Sequence, residues 1–187
     1  MFQPREVVYG YAKNLFSPHN KYIVTIYQDD DLNIVACFTT SKRRAGVPED
    51  QVHHGAIYRD QECVSYVFEK DKVVGINPTN GADFAFPYRS VVTFDYGVKE
   101  GIKESFMEEF DNPQVVCVLN DSEYIDLVYA MYRSPHYFLL RLAFTPERLE
   151  LEAGKLTKAG YYTHHVAFLI ICHADFIVLF RLVRGIF

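Results

Sequence analysis

Short segments rich in β-branched and aromatic residues follow one another from residue 6 to residue 94, and turn-forming residues separate them. Such spacing is typical of an all-β domain. We predict strands over 6–12, 21–27, 32–40, 57–58, 63–68, 73–76, 84–86 and 90–94, with a hairpin turn at 28–31. Because these strands precede any helical pattern, the segment predicts a small barrel or sandwich whose closure hides the sheet edges.

Beyond residue 96 the apolar residues recur at helical spacing. Ile102, Phe106 and Phe110 form one apolar stripe of a short helix. A strand or extended link over 115–119 precedes a helix that begins at 120–122 and ends at 134–135, and a further helix begins at 145–147. We therefore predict an α+β chain in which a β-barrel domain (1–96) is followed by a mainly helical appendage (97–160).

The last segment, 161–187, is an apolar tail that His173, Ala174 and Asp175 divide into two halves. A carboxylate at the centre of a bilayer costs roughly 2.5 to 3.5 kcal/mol, and a spanning helix needs about 20 apolar residues, which neither half reaches. The pattern favours two strands, as a hairpin or packed on the appendage, over a membrane span.

The cysteines and the N-terminus indicate a cytoplasmic location. Cys37, Cys63, Cys117 and Cys172 are far apart in mostly apolar runs, with neither metal-ligand spacing nor a disulfide framework. We expect buried free thiols in a reducing compartment. The first six residues contain Pro4 and charges, where a signal peptide has a basic start followed by an apolar stretch, so we expect no export.

Charge and motifs limit the classes of function. The net charge is −5, and the acidity is concentrated in residues 95–126, which hold nine acidic and two basic side chains. A polyanion must therefore be met by a local basic patch. The sequence contains no phosphate loop, zinc signature, nucleophile elbow or dinucleotide fingerprint, so we predict neither a cofactor nor a metal. Asp29–Asp31 indicates a solvated turn rather than a cation site.

One loop carries the residue types that a phosphodiester site needs. The third predicted strand ends at Thr40 and is followed by Ser41, Arg43 and Arg44, and the loop ends at His53-His54. Metal-free RNA cleavage needs a base for the 2′-hydroxyl, an acid for the leaving oxygen, and cations for the charged transition state. The alternative is that the basic residues form a solvated surface and the histidines belong to a turn.

Three runs resemble the PemK/MazF family of bacterial toxins, over about residues 5–95. They are residues 5–8, 21–26 and 34–41. In that family one strand opens with Gly-Asp, where this chain has Arg5-Glu6, and a later strand opens with Arg-Pro, where it has Lys21-Tyr22. The next family strand ends in Thr-Ser, as at Thr40-Ser41. The resemblance implies a small SH3-like barrel, a homodimer, metal-independent cleavage of single-stranded RNA, and an antitoxin partner.

The leading hypothesis is a prokaryotic toxin-antitoxin endoribonuclease. The resemblance itself places only Lys21, Thr40 and Ser41, and lysine lacks the bidentate fork of the family's arginine. The predicted catalytic residues are His54, Arg43 and Thr40, and the predicted substrate-binding residues are Lys21, Ser41, Arg44 and His53. The alternative is a non-catalytic barrel that binds a protein or peptide through its loops, with the acidic stretch 100–111 in the contact surface.

Overall fold

The computed structural model describes residues 1–28, 33–41 and 47–135 of the 187-residue chain. The described residues form ten strands, two α-helices and a 3-10 turn at Glu49–Gln51. The strands are β1 (Glu6–Ala12), β2 (His19–Gln28), β3 (Asn33–Thr40), β4 (Gly55–Arg59), β5 (Glu62–Phe68), β6 (Val73–Ile76), β7 (Asp83–Ala85), β8 (Ser90–Thr93), β9 (Val98–Ile102) and β10 (Phe110–Leu119). The helices are α1 (Lys103–Glu109) and α2 (Asp121–Tyr132).

The strands pair antiparallel in one open sheet. Its order is β4-β5-β8-β3-β2-β1-β10-β6-β7, and β9 pairs with the first part of β3. Within the described residues, the end strands β4 and β7 do not pair with each other. The prediction of a closed SH3-like barrel followed by a helical appendage is therefore wrong. Closely spaced strands indicate a sheet, but whether its two ends meet depends on long-range pairing that local pattern does not contain.

The region predicted as a helical appendage contributes two strands to this sheet. β10 lies between β1 and β6, and it contains the predicted extended segment 115–119. Of the predicted apolar stripe, only Phe106 lies in α1, because Ile102 ends β9 and Phe110 begins β10. Phe106 and Phe110 nevertheless enter the same core, since a helical turn and a strand start bring both rings to one side of the sheet.

The two faces of the sheet bury separate sets of side chains, as alternation along strands requires. One face packs under α1, and Phe2 meets Phe106 there edge to face at 5.4 Å between ring centroids. The buried residues of this core are Phe2, Val8, Ala12, Ile23, Ile34, Ala36, Phe106 and Phe110.

Helix α2 packs against β4 and β5. Its buried residues Leu127, Ala130 and Met131 are fully enclosed, and the Met131 sulfur lies 3.8 Å from the Cys37 thiol. The prediction of a helix starting at 120–122 and ending before Pro135 is confirmed. The apolar spacing, a polar start and a proline stop are local signals, so tertiary contacts did not override them.

Three cysteines are buried free thiols, as expected: Cys37, Cys63 and Cys117. No helix within residues 1–28, 33–41 and 47–135 is long and apolar enough to cross a membrane. Cys172, the helix predicted from 145–147 and the apolar tail 161–187 lie outside the described residues.

Candidate functional site

His54 lies directly before β4, and both nitrogens of its imidazole are hydrogen bonded. Nδ1 accepts from the backbone N–H of Glu69 at 3.3 Å. Nε2 lies 3.0 Å from Oε1 and 3.1 Å from Oε2 of Glu123. An amide N–H can only donate, so Nδ1 is the unprotonated nitrogen and Nε2–H donates to the carboxylate. The surroundings of His54 therefore select one tautomer of its ring.

Glu123 is a carboxylate on the buried face of α2, with only 9% of its surface exposed. The Tyr66 hydroxyl donates to its Oε1 at 2.7 Å. Burial, and then the Glu123 charge, raise the pKa of Tyr66 well above its usual value, so this hydroxyl stays protonated and remains a donor. With donors from Tyr66 and His54, the buried charge has the partners that it needs.

Two aromatic rings of β5 border the imidazole. The His54 ring meets Tyr66 and Phe68 edge to face, at centroid distances of 6.1 and 6.4 Å. Only 12% of the His54 side chain is exposed. The ring is therefore fixed by packing as well as by hydrogen bonds, and a substrate has access to it only over a small area.

Lys21 lies against the end of β3. The Lys21 ammonium donates to the backbone oxygen of Thr39 at 2.9 Å. Thr40 is the last residue of β3 and is half-buried, while Ser41 follows it in an exposed bend. This end of β3 thus offers an ammonium and hydroxyls within one short stretch.

Thr40 and His54 lie in one row across the sheet. Thr40 pairs with Val91, Val91 pairs with Val67, and Val67 pairs with Gly55, which follows His54. Three strand spacings of about 4.8 Å each separate the ends of this row, or roughly 14 Å along the sheet. The His54 ring packs on Tyr66 and Phe68, which alternate with Val67 along β5, so it lies on the face of the sheet opposite to the Thr40 side chain. The structure therefore does not bring these two predicted catalytic residues together.

The remaining predicted site residues lie in or near the preceding loop. His53 is exposed, and its Nδ1 lies 3.0 Å from the Gln51 carbonyl oxygen. Nδ1 donates to this oxygen when it carries the ring proton. Arg43 and Arg44 lie outside the described residues. The structure therefore neither joins these arginines to His54 nor separates them from it.

Several cations of the described chain are matched by carboxylates. Arg5 pairs with Asp121 at 2.6 Å and Lys13 with Asp111 at 3.2 Å, and two further pairs are formed. These are Arg89 with Glu49 and Lys99 with Glu109. A bound phosphate would thus need cations other than these, and the predicted ones are Lys21, Arg43 and Arg44.

Glu123 and Tyr66 were not predicted as site residues. Glu123 is 69 positions from His54 in sequence, and only tertiary packing joins the two, whereas Tyr66 lies on β5, which pairs with β4. One signal was available: Glu123 shares the helical spacing of Leu127, Ala130 and Met131, so the apolar face of α2 carries one carboxylate. A carboxylate on an apolar helix face requires a buried donor, which here is provided by β5 and by the residue before β4.

Among the described residues, no group of three or more His, Cys, Asp or Glu side chains is placed to hold a metal ion. Metal-independent chemistry stays a prediction. In comparisons with protein-family models, curated proteins and solved structures, the chain has no significant match. The resemblance to the PemK/MazF family therefore stays a prediction as well.

Proposed function

We propose that this chain is a metal-independent endoribonuclease of the toxin-antitoxin type that cleaves single-stranded RNA. One observation carries the proposal: His54 Nε2 faces both oxygens of Glu123, at 3.0 and 3.1 Å, and from this we infer that Nε2 carries the proton and that Nδ1 is an acceptor. Its present partner, the Glu69 amide at 3.3 Å, is beyond the usual 2.7 to 3.2 Å range of N–H donors. Exchange of this weak partner for a substrate hydroxyl costs little.

In the proposed reaction, His54 Nδ1 takes the proton of the ribose 2′-hydroxyl. The 2′-oxygen attacks the adjacent phosphorus, and the bond from phosphorus to the 5′-oxygen breaks. The leaving 5′-oxygen takes a proton from a general acid, for which His53 is the nearest candidate in sequence. The products are a 2′,3′-cyclic phosphate and a 5′-hydroxyl.

The other predicted residues have binding roles in this proposal. Arg43 and Arg44 stabilise the charge that builds up on the phosphate oxygens. Lys21, Thr40 and Ser41 bind the RNA backbone away from the cleaved bond, because roughly 14 Å separate Thr40 from the strand that follows His54. The antitoxin and the homodimer implied by the family resemblance are part of the same proposal.

The test is incubation of the purified chain with a long single-stranded RNA in EDTA. We expect wild-type cleavage to survive chelation, and His54→Ala to reduce the rate by about 10²- to 10⁴-fold, the usual contribution of a general base. Arg43→Ala should also reduce it. His19→Ala is the matched control. His19 is an exposed histidine, and its Nδ1 contacts the backbone oxygen of Ser17, two positions away.

Two results would contradict the proposal. One is intact RNA in every lane under conditions in which the chain is folded. The other is that the His54→Ala and His19→Ala proteins cleave RNA at the same rate, which would indicate a contaminating nuclease. Mapping the ends of the products as a cyclic phosphate and a 5′-hydroxyl checks the reaction itself.

A second candidate function is a non-catalytic module that binds a protein or peptide. The observation in its favour is that Arg5, Lys13, Arg89 and Lys99 each pair with a carboxylate, while α1 exposes Glu104 and Glu108. The exposed carboxylates of α1 suit a basic partner better than RNA. Fluorescence anisotropy with labelled RNA at two salt concentrations separates the candidates, since RNA affinity that depends on phosphate contacts falls steeply with salt.

A further inference from the structure

The buried polar group formed by Tyr66, Glu123 and His54 joins helix α2 to the sheet. We infer that Glu123 is a positioning residue that holds His54 in the tautomer in which Nδ1 accepts a proton. This inference deepens the proposed function and rests on it for its role in catalysis. The tautomer itself can be measured whether or not the chain cleaves RNA.

The geometry of the carboxylate supports this role. The two oxygens of Glu123 lie at nearly equal distances from His54 Nε2, at 3.0 and 3.1 Å. Tyr66 binds Oε1 at 2.7 Å, which fixes the rotation of the carboxylate. A neutral imidazole with its proton on Nδ1 would instead direct the lone pair of Nε2 at a carboxylate, which has no proton to share.

The helix that carries Glu123 is anchored on both sides of it. Asp121 pairs with Arg5 at 2.6 Å, and the Tyr124 hydroxyl donates to the backbone oxygen of Ile26 at 2.7 Å. These contacts tie the first turn of α2 to the start of β1 and to β2. Because both neighbours are held, the carboxylate has little freedom to move away from His54.

The experiment measures the ring nitrogens of His54 by NMR in ¹⁵N-histidine-labelled full-length protein. In the wild type we expect one nitrogen of protonated type, Nε2, and one of unprotonated type, Nδ1. In Glu123→Ala, Nε2–H has lost its acceptor, so the two chemical shifts should move towards each other. Glu108→Ala, on the exposed face of α1, is the matched control and should leave both shifts unchanged.

Two conservative variants separate positioning from general loss of structure. Glu123→Gln retains an oxygen that can accept from Nε2–H, so it should largely restore the wild-type shifts. Tyr66→Phe removes the second donor but leaves Nε2–H bonded, so its shifts should remain of wild-type kind. Either variant serves as the reference if Glu123→Ala fails to fold.

RNA cleavage supplies the second readout. Glu123→Ala should lower kcat by at least about a hundredfold, as loss of a general base does, with little change in KM, because Glu123 lies behind the imidazole and away from RNA. Glu123→Gln should recover part of kcat. Loss of activity through KM alone would overturn the inference.

The outcomes for the two proposals are distinct. Wild-type ring shifts in a folded Glu123→Ala protein would overturn the positioning inference, whatever the activity. Shifts that move as expected in a chain that leaves RNA intact would uphold the positioning of His54 and refute the endoribonuclease.

Discussion

Arg5 has a backbone conformation that favours glycine, and this predicts an unusual order of stability. Its φ is +77°, in the left-handed region that costs other residues roughly 1 to 2 kcal/mol. Its side chain compensates, because Nε and Nη2 donate to the Leu119 backbone oxygen at 2.9 and 2.6 Å, and Nη1 pairs with Asp121.

Replacing Arg5 removes the same contacts whether the new residue is alanine or glycine. Loss of the charged hydrogen bonds costs about 1.5 to 3 kcal/mol, and the ion pair, about one-third exposed on each side, adds at most about 1 kcal/mol. Glycine additionally relieves the backbone strain of roughly 1 to 2 kcal/mol. This gain is offset by about 0.4 to 1 kcal/mol, because glycine gives the unfolded chain more conformational entropy than alanine does. We therefore expect Arg5→Gly to be more stable than Arg5→Ala by about 0.5 to 1 kcal/mol.

The assay is urea unfolding followed by far-UV circular dichroism, since the chain contains no tryptophan. Lys72 is the control, because it is exposed and lies outside the positive-φ region. At Lys72 the usual order should hold, with alanine more stable than glycine. An Arg5→Ala protein that equals or exceeds Arg5→Gly in free energy of unfolding would refute the reasoning.

Two further predictions concern β6 and the buried thiols. Gly75→Ala should destabilise the fold by about 3 kcal/mol in the same urea assay, because the new Cβ would press on the Val118 backbone oxygen and come within 2.5 Å of the Cys117 sulfur. The control is Gly81→Ala, whose Cβ meets nothing within 4 Å and which should cost only about 1 kcal/mol of backbone strain; equal losses of stability in the two variants would contradict the prediction. Burial raises the pKa of Cys63 and of Cys117 to about 12. Neither thiol should therefore ionise or react with a disulfide reagent at pH 8 until urea unfolds the chain. Peptide mapping that finds either cysteine labelled in the native protein would contradict this prediction.

The secondary structure of individual segments was largely predictable from sequence. The strands β1 and β5 and the helix α2 lie where local composition places them. β-branched and aromatic runs, turn residues and capping residues influence the backbone only over a few neighbouring positions, so their effect can be predicted from sequence. His54 was proposed as a base from sequence, as a histidine at the end of a loop rich in polar groups, and this role stays a prediction. These features depend on neighbours in the chain.

Tertiary structure decided how the segments were combined. β10 lies between β1 and β6, and the sheet stays open at β4 and β7, because strand order depends on which edges meet across long separations. The Nε2 partner of His54 depends on the same long-range packing, since Glu123 is brought to it by the docking of α2 on β4 and β5. Sequence thus determined most of the elements but not the division of residues 98–119 into β9, α1 and β10, while the choice of one tautomer for one imidazole required the folded protein.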